Sequence, residues 1–228
     1  MLSSRCEAPE LIDAPVESRE ELRQSFSDIA LANRWFGGIS AARLLLDRMQ
    51  ARRVLDVGCG TGDIARALRK EALRGGRDVS FTCLDSNPEL LALGRAQCGS
   101  DPGITFVEGN GLALPFDDGS FDAAMCNLTL HHFDPPAAVR LLRELRRVSR
   151  LSPAVTDLRR SVAAWAAAYA FTRLFTRNRL TRHDGPLSAR RAYTVPEAVE
   201  LAREAGWTQP VAHTFGIIRM VLYDAARL

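Results

Sequence analysis

Asp56-Val-Gly-Cys-Gly-Thr-Gly62 concentrates more potential chemistry than any other stretch of this chain. Glycine at a turn lets backbone approach a ligand with no Cβ in the way. A dinucleotide fingerprint, G-x-G-x-x-G, counted from Gly58 would need a glycine at position 63. That position is Asp63, a poor neighbour for a pyrophosphate, and Asp56 adds a second negative charge just before the turn. A cationic ligand without phosphates suits such a loop better; the plain alternative is an ordinary tight turn.

Asp85 stands twenty-five residues after Gly60. A carboxylate there can accept both hydroxyls of a ribose, each such hydrogen bond contributing about 1.5–3 kcal/mol. Read alone it serves equally as a helix cap, because Asp85-Ser-Asn87 precedes Pro88. Gly109-Asn-Gly111 can offer an Asn side chain and exposed amides to an adenine edge, although Asn-Gly is also a common turn. Four histidines remain: His131, His132, His183 and His213. An imidazole has an unperturbed pKa of about 6.5, suited to general-base work. His131 is the favoured base, against a purely structural role beside a ligand loop. His183, followed by Asp184, is the second candidate, and His213 reads as sheet surface. No metal site is expected, and no pair among the five cysteines stands at metal-ligand spacing.

These groups need a scaffold that brings distant turns together, and the periodicity supplies one. Leu22, Phe26, Ile29, Ala30 and Phe36 share a helical face that Gly37-Gly38 would end, and a second helix covers about 40–50. Short apolar runs at 53–57, 79–84, 104–108, 121–126 and 154–157 predict strands. Helical segments alternate with them, one after the glycine turn and others at 88–97 and 135–149. This alternation predicts a parallel, doubly wound α/β sheet. Residues 158–193 break the rhythm with an Ala/aromatic helix, an Arg-rich stretch and the turn-like His183-Asp-Gly-Pro-Leu-Ser188. Thr194-Val-Pro-Glu197 reads as a capping box opening a helix to about 205. Strand-like runs at 211–215 and 217–223 close the sheet. The single domain divides into an N-terminal helical cap (1–50), a ligand-binding core (51–157), a cover insertion (158–193) and a final helix with strands (194–228).

Composition narrows the classes. The chain has 228 residues, 46% hydrophobic and 25% charged, with a net charge of +3. These are globular values, and the charge is too small to announce a polyanion partner. Thirteen arginines lie between Arg140 and Arg191 against Glu144, Asp157 and Asp184. A basic patch can bind nucleic acid, but Lys70 is the sole lysine, so arginine fills nearly every basic position. Five scattered cysteines predict free thiols in a reducing compartment. Glu7, Glu10, Asp13 and Glu17 interrupt any signal-peptide core, and the uncharged run 161–172 is too short to span a bilayer. That run predicts a buried or substrate-facing helix, and the whole reads as a cytoplasmic protein.

Four elements together, Val54-Leu-Asp-Val-Gly-Cys-Gly-Thr-Gly62, Asp85, Leu114-Pro-Phe with Ser120-Phe-Asp122, and Leu130-His-His-Phe133, resemble class I S-adenosylmethionine (SAM)-dependent methyltransferases. The closest group is the small-molecule one, which includes quinone and natural-product enzymes. The resemblance covers about residues 52–149. It implies a Rossmann-like, mostly parallel seven-stranded sheet with an N-terminal helical lid and a helical insertion before the last helix. It also implies SAM as cofactor, with S-adenosylhomocysteine as product. Asp56, Gly58, Cys59 and Gly60 would lie under the methionine portion, Asp85 and Ser86 at the ribose, Asn110 and Gly111 at the adenine, and Asn127 and Leu128 beside the sulfonium. Two departures stand out. Asn110 replaces a frequent Asp, and Ser149-Arg-Leu-Ser-Pro153 replaces the usual Pro-Gly-Gly turn.

Arg34 could pair with the SAM carboxylate and Trp35 or Phe36 wall the pocket, or all three could sit on an ordinary lid helix. Trp165, Tyr169 and Phe171 could line an aromatic pocket or pack as core, and Arg190 and Arg191 could hold an anion or face solvent. The leading expectation is O-methylation of a phenolic or enolic hydroxyl in secondary metabolism, on a small-molecule substrate with no nucleic acid and no membrane span. C-methylation of a quinol-like ring, RNA methylation and a non-catalytic SAM-binding role are the alternatives.

Overall fold

The computed structural model describes residues 4–14, 16 and 18–228; Glu17, one of the acidic residues counted above, lies outside them. Two helices lead, α1 (Arg19–Trp35) and α2 (Gly38–Met49). The core alternates β1 (Arg53–Val57), α3 (Asp63–Arg74), β2 (Ser80–Asp85), α4 (Pro88–Cys98), β3 (Ile104–Glu108), β4 (Ala123–Asn127), α5 (Pro135–Val148) and β5 (Ala154–Leu158). Then follow α6 (Val162–Phe175), α7 (Arg179–Arg191), α8 (Val195–Glu204), β6 (Pro210–Phe215) and β7 (Arg219–Asp224).

The seven strands order as β3-β2-β1-β4-β5-β7-β6, with β7 antiparallel to both its neighbours and the remaining pairs parallel. Central strands are buried on both faces, so alternate residues feed two cores. Leu55, Val57, Ala124, Cys126 and Val155 pack with Leu141, Leu142 and Leu145 of α5 and with Trp207. Val54, Ala123, Met125 and Ala154 pack on the other face with Ala42, Leu45 and Leu46 of α2 and Ile64 and Leu68 of α3. The order reverses on either side of β1 and β4, and the crevice outside the carboxyl ends of such strands is where open sheets bind ligands.

Local signals explain the boundaries. Pro88 and Pro135 open their helices behind the caps Asn87 and Asp134, and Thr194 with Glu197 closes the expected capping box. Gly37, at φ 75°, is where α1 and α2 part. Ser149 pairs with Phe121 as an isolated bridge, and β5 starts only after Pro153.

One expectation fails. The stretch His183–Ser188 is not a turn but the middle of α7, with Pro186 inside the helix. Gly185 serves packing there, because a Cβ on it would lie 2.6 Å from the Thr172 side chain of α6. The uncharged helix α6, expected to be buried or substrate-facing, is not buried throughout but turns Ala168, Phe171 and Thr172 to a cavity. It buries Ala164, Phe171 and Thr172, while Val162, Tyr169, Leu174 and Phe175 are exposed. Among the described residues no helix is long and apolar enough to cross a membrane, and all five cysteines are free.

Leu142 is wholly buried between β4, α5 and α8. Leu142→Ala should cost about 2–5 kcal/mol, read by chemical denaturation.

Candidate functional site

A single cavity of about 890 Å³ runs along the carboxyl edge of the sheet, under α1 and against α6 and α7. It is built from the loops that the strands deliver. After β1 the chain turns at Gly58 (φ 69°) and Gly60 (φ 54°). A Cβ on Gly58 would meet Thr129, and one on Gly60 would meet Phe26 of α1, each at 2.5 Å. Glycine is thus required twice over, by conformation and by space. The loop is pinned by Gly58 N–H to the Leu84 carbonyl (2.8 Å) and Gly60 N–H to the Asp85 carboxylate (2.8 Å). Asp85 also accepts the Asn87 amide (2.9 Å) and lines the cavity.

Asp56 lies beneath this loop, buried, accepting from Asn127 Nδ2 (2.9 Å), whose Oδ1 accepts from Thr156 (2.7 Å). Burial pushes the Asp56 carboxyl up to about 7 and also raises Asp63 and Asp85. A pocket floored by carboxylates held above their ordinary range is one that a cation relieves. Next to Asn127, Leu128 sits at φ 52°, a left-handed conformation uncommon for a branched residue. Its amide donates to the Thr156 carbonyl (2.9 Å), which fixes the strained turn at the cavity wall.

Every residue assigned above to the cofactor (Asp56, Gly58, Cys59, Gly60, Asp85, Ser86, Asn110, Gly111, Asn127 and Leu128) lines this one cavity, as does His131. Others do not come to it. His183 is exposed on α7, its Nδ1 on its own neighbour Asp184 (2.7 Å). Arg34 is exposed, and the guanidinium at the cavity is instead Arg219, the first residue of β7. Phe36 and Phe171 line the wall, whereas Trp165 and Tyr169 stack on each other outside it. Arg190 is exposed, and Arg191 is buried, clamping carbonyls of Ala8 (2.7 Å) and His132 (2.8 Å).

Arg219 escaped sequence reading although it is the one charged residue in the run 217–223, a signal that was there to use. It donates through Nε to the Phe36 carbonyl (3.1 Å) and through Nη2 to Asn33 (2.6 Å), while Asn33 donates to Asp63 (2.9 Å). Its Nη1 is buried with no partner among the described residues. Burial brings the guanidinium down to about 10, so it stays cationic at neutral pH.

The other unexpected part is a strap, residues 4–14, lying across the far end of the cavity. Arg5 donates to the carbonyls of His131 (2.6 Å), Phe133 (2.7 Å) and Arg191 (2.6 Å). The amides of Leu11 and Ile12 donate to Asp184 (2.8 and 3.1 Å). The strap brings Glu10 and Asp13 to the histidines. His131 Nδ1 bonds Asp157 at the end of β5 (2.6 Å), and His132 Nδ1 bonds Asp13 (2.7 Å). Burial alone would raise Asp157, but the His131 ring and two backbone amides hold it below its ordinary value. Glu10, buried beside them, is pushed up to about 7 by that burial.

Comparison with known proteins places this geometry. Residues 54–151 match a family described as "Methyltransferase domain". The chain is 38% identical over 136 residues to the ubiquinone/menaquinone biosynthesis C-methyltransferase UbiE of Methylobacterium nodulans, covering 58% of this chain and 51% of that one. A demethylmenaquinone methyltransferase of Roseiflexus castenholzii is 28% identical over 91% of this chain and 93% of its own. In two further demethylmenaquinone methyltransferases the matched stretch is 33% and 62% of their length, so the chain spans about half the length of most such relatives. In fold it resembles a SAM-dependent methyltransferase from Aquifex aeolicus (TM-score 0.63, 17% identity, 91% of this chain and 98% of that one).

SAM fits the cavity on charge: acidic groups for its ammonium and sulfonium, and the unpartnered Arg219 Nη1 for its carboxylate. Arg219→Met should therefore weaken SAM binding about 10–100-fold, the loss of one charged hydrogen bond, read by calorimetry. Unchanged affinity would remove Arg219 from the cofactor site.

Proposed function

We propose that this chain, which belongs to the class I SAM-dependent methyltransferase family, methylates a small organic acceptor at a hydroxyl, most simply a phenol or enol. SAM, when bound, supplies an electrophilic methyl group on sulfur. The protein's part is to align and activate the acceptor, and orientation alone can contribute about 7–11 kcal/mol. Asp56, the Gly58–Gly60 loop, Asp85, Asn110 and Arg219 hold the cofactor in this reading, with Asn127 and Leu128 beside the reacting centre.

One observation carries the acceptor side. His131 stands on the wall of the same cavity with Nδ1 committed to buried Asp157, which leaves Nε2 as its working face. The acceptor's hydroxyl is activated there. Phe26, Ile29, Phe36 and Phe171 give the chamber an apolar lining matched to an aromatic ring. His183 takes no part, being outside.

A second reading has its own support. The relatives named above act, by name, on ubiquinone and menaquinone precursors, one of them as a C-methyltransferase, and the same histidine serves a quinol-like ring carbon. RNA methylation is disfavoured. Arg147 and Arg191, from the basic stretch, are spent on Glu144, Asp118 and backbone carbonyls, and the strap lies over the chamber.

Methyl-labelled SAM incubated with fractionated cell extract should label an organic-soluble compound, whose analysis separates O- from C-methylation. Label in RNA or protein would overturn the reading. His131→Asn should lower kcat about 10²–10⁴-fold with SAM affinity unchanged.

A further inference from the structure

Three potential ligand atoms converge at the strap end of the chamber. They are a carboxylate oxygen of Glu10 and the ring nitrogens of His131 and His132, all within 4.8 Å of one another. His131 Nε2 lies 3.6 Å from Glu10 Oε1 and His132 Nε2 lies 3.9 Å from Oε2. These separations are too long for hydrogen bonds. They are close to what two ligands show when they share one ion: bonds of about 2.0–2.2 Å at tetrahedral or wider angles set the donors about 3.3–3.9 Å apart.

The tautomers agree. Each imidazole has its Nδ1 on a carboxylate, Asp157 for His131 (2.6 Å) and Asp13 for His132 (2.7 Å). An imidazole that donates from Nδ1 presents a bare lone pair at Nε2, and a carboxylate behind the ring is the usual support of a metal-bound histidine. Glu10 is oriented in turn by the Ser188 hydroxyl (2.9 Å). Arg191 Nε lies 3.7 Å from Glu10, but its N–H groups point to the carbonyls of Ala8, His131 and His132 and to Asp13. Glu10, Asp13, Asp157 and Asp184 surround the cluster with negative charge, and three ligands leave further positions open to the chamber.

We propose that Glu10, His131 and His132 bind a divalent transition-metal ion, of the zinc, iron(II) or cobalt(II) class, in the wall of the acceptor chamber. Two imidazoles and one carboxylate suit those ions rather than magnesium or calcium, which take oxygen ligands. Sequence spacing gave no hint of it, because Glu10 is more than a hundred residues from the histidine pair. The proposal rests on the reading that the acceptor meets His131, and it specifies how activation occurs. The acceptor's hydroxyl oxygen binds the ion and its proton leaves to solvent. The oxygen's electron pair then forms the bond to the methyl carbon, as the carbon–sulfur bond breaks toward sulfur. Because Glu10 rides on the strap, the ion also ties residues 4–14 down over the chamber.

The test uses the untagged full chain, stripped with chelator and titrated with Co²⁺ alone, followed by calorimetry and visible absorption. One equivalent should bind with a nitrogen/oxygen spectrum. Glu10→Gln and His132→Ala should abolish stoichiometric binding, and Asp13→Ala, behind the His132 ring, should weaken it about 10–100-fold. Folding of each variant is checked by thermal melting, where Co²⁺ should raise the wild-type midpoint and leave that of Glu10→Gln unmoved. No stoichiometric Co²⁺, or equal binding in folded Glu10→Gln and His132→Ala, overturns the site. Methyl transfer that survives complete metal removal overturns the metal while leaving the methyltransferase reading intact. Specific binding of Co²⁺ by a protein that methylates nothing supports the site and counts against that reading instead.

Discussion

Thr156 donates to Asn127 and Asn127 to Asp56, so one run of buried side-chain hydrogen bonds crosses the ends of three adjacent parallel strands. The remaining site geometry depends on it. An unmet buried polar group costs about 1–3 kcal/mol, and in a low-dielectric interior such a run is satisfied together or not at all. It therefore pins the relative positions of β1, β4 and β5 at the edge where ligand loops emerge. Asn127 stands opposite Thr156 in the sheet, and the next amide, that of Leu128, is taken by the Thr156 carbonyl, which holds Leu128 at positive φ. One short turn later the chain arrives at His131. Its partner Asp157 follows Thr156 on β5, and successive strand residues point to opposite faces. Two consecutive residues of β5 thus support the Asn127–Asp56 pair under the glycine loop on one side and the histidine on the other.

That edge is crowded with charge for a protein interior. Asp56, Asp63, Asp85, Glu10 and Asp184 share one cavity with Arg219, and burial lifts several of the carboxyls. Such groups contribute little to folding unless paired. Their pairing here is incomplete in a patterned way. Carboxylates are in excess along the cavity, while Arg219 keeps one donor unmet next to Asn33. A ligand bearing two positive centres and one carboxylate completes both halves. The local disagreement with good interior design is what marks a binding site.

The parts legible in the sequence are those whose signal is local. Glycine at 58 and 60, Asp85 at a strand end, the capping box at Thr194 and the alternation of runs all act within a few residues. They place the sheet, its crevice and the glycine-loop side of the cavity. What was not legible depends on distant partners. Arg219 and Asn33 are 186 residues apart, Arg191 and Ala8 are 183 apart, and Glu10 and Ser188 are 178 apart. No periodicity carries such pairings. His183-Asp-Gly-Pro-Leu-Ser188 shows the converse failure: a good local turn signal was overridden, because Gly185 lets α7 press on α6. Asp157, like Arg219, was a missed residue with a usable cue, an acid at the carboxyl end of a strand beside a histidine loop.

The division between shared and particular features runs through the histidines themselves. Residues 54–151 are the stretch matched to the family, and they contain the glycine loop, Asp85, Asn127 and both His131 and His132. Every group that sets what those rings do lies outside it: Asp157 behind His131, Asp13 behind His132, Glu10 between them, and Arg191 clamping their carbonyls. A histidine pair on a family loop has no fixed chemistry of its own. Its tautomers, its charge and its access to a substrate are imposed by neighbours. Here those neighbours come from an N-terminal strap, the end of β5 and the helix α7. On the proposed reading, specificity in this chain belongs to the strap and to α6 and α7, acting beside a glycine loop whose geometry the central strands have already settled.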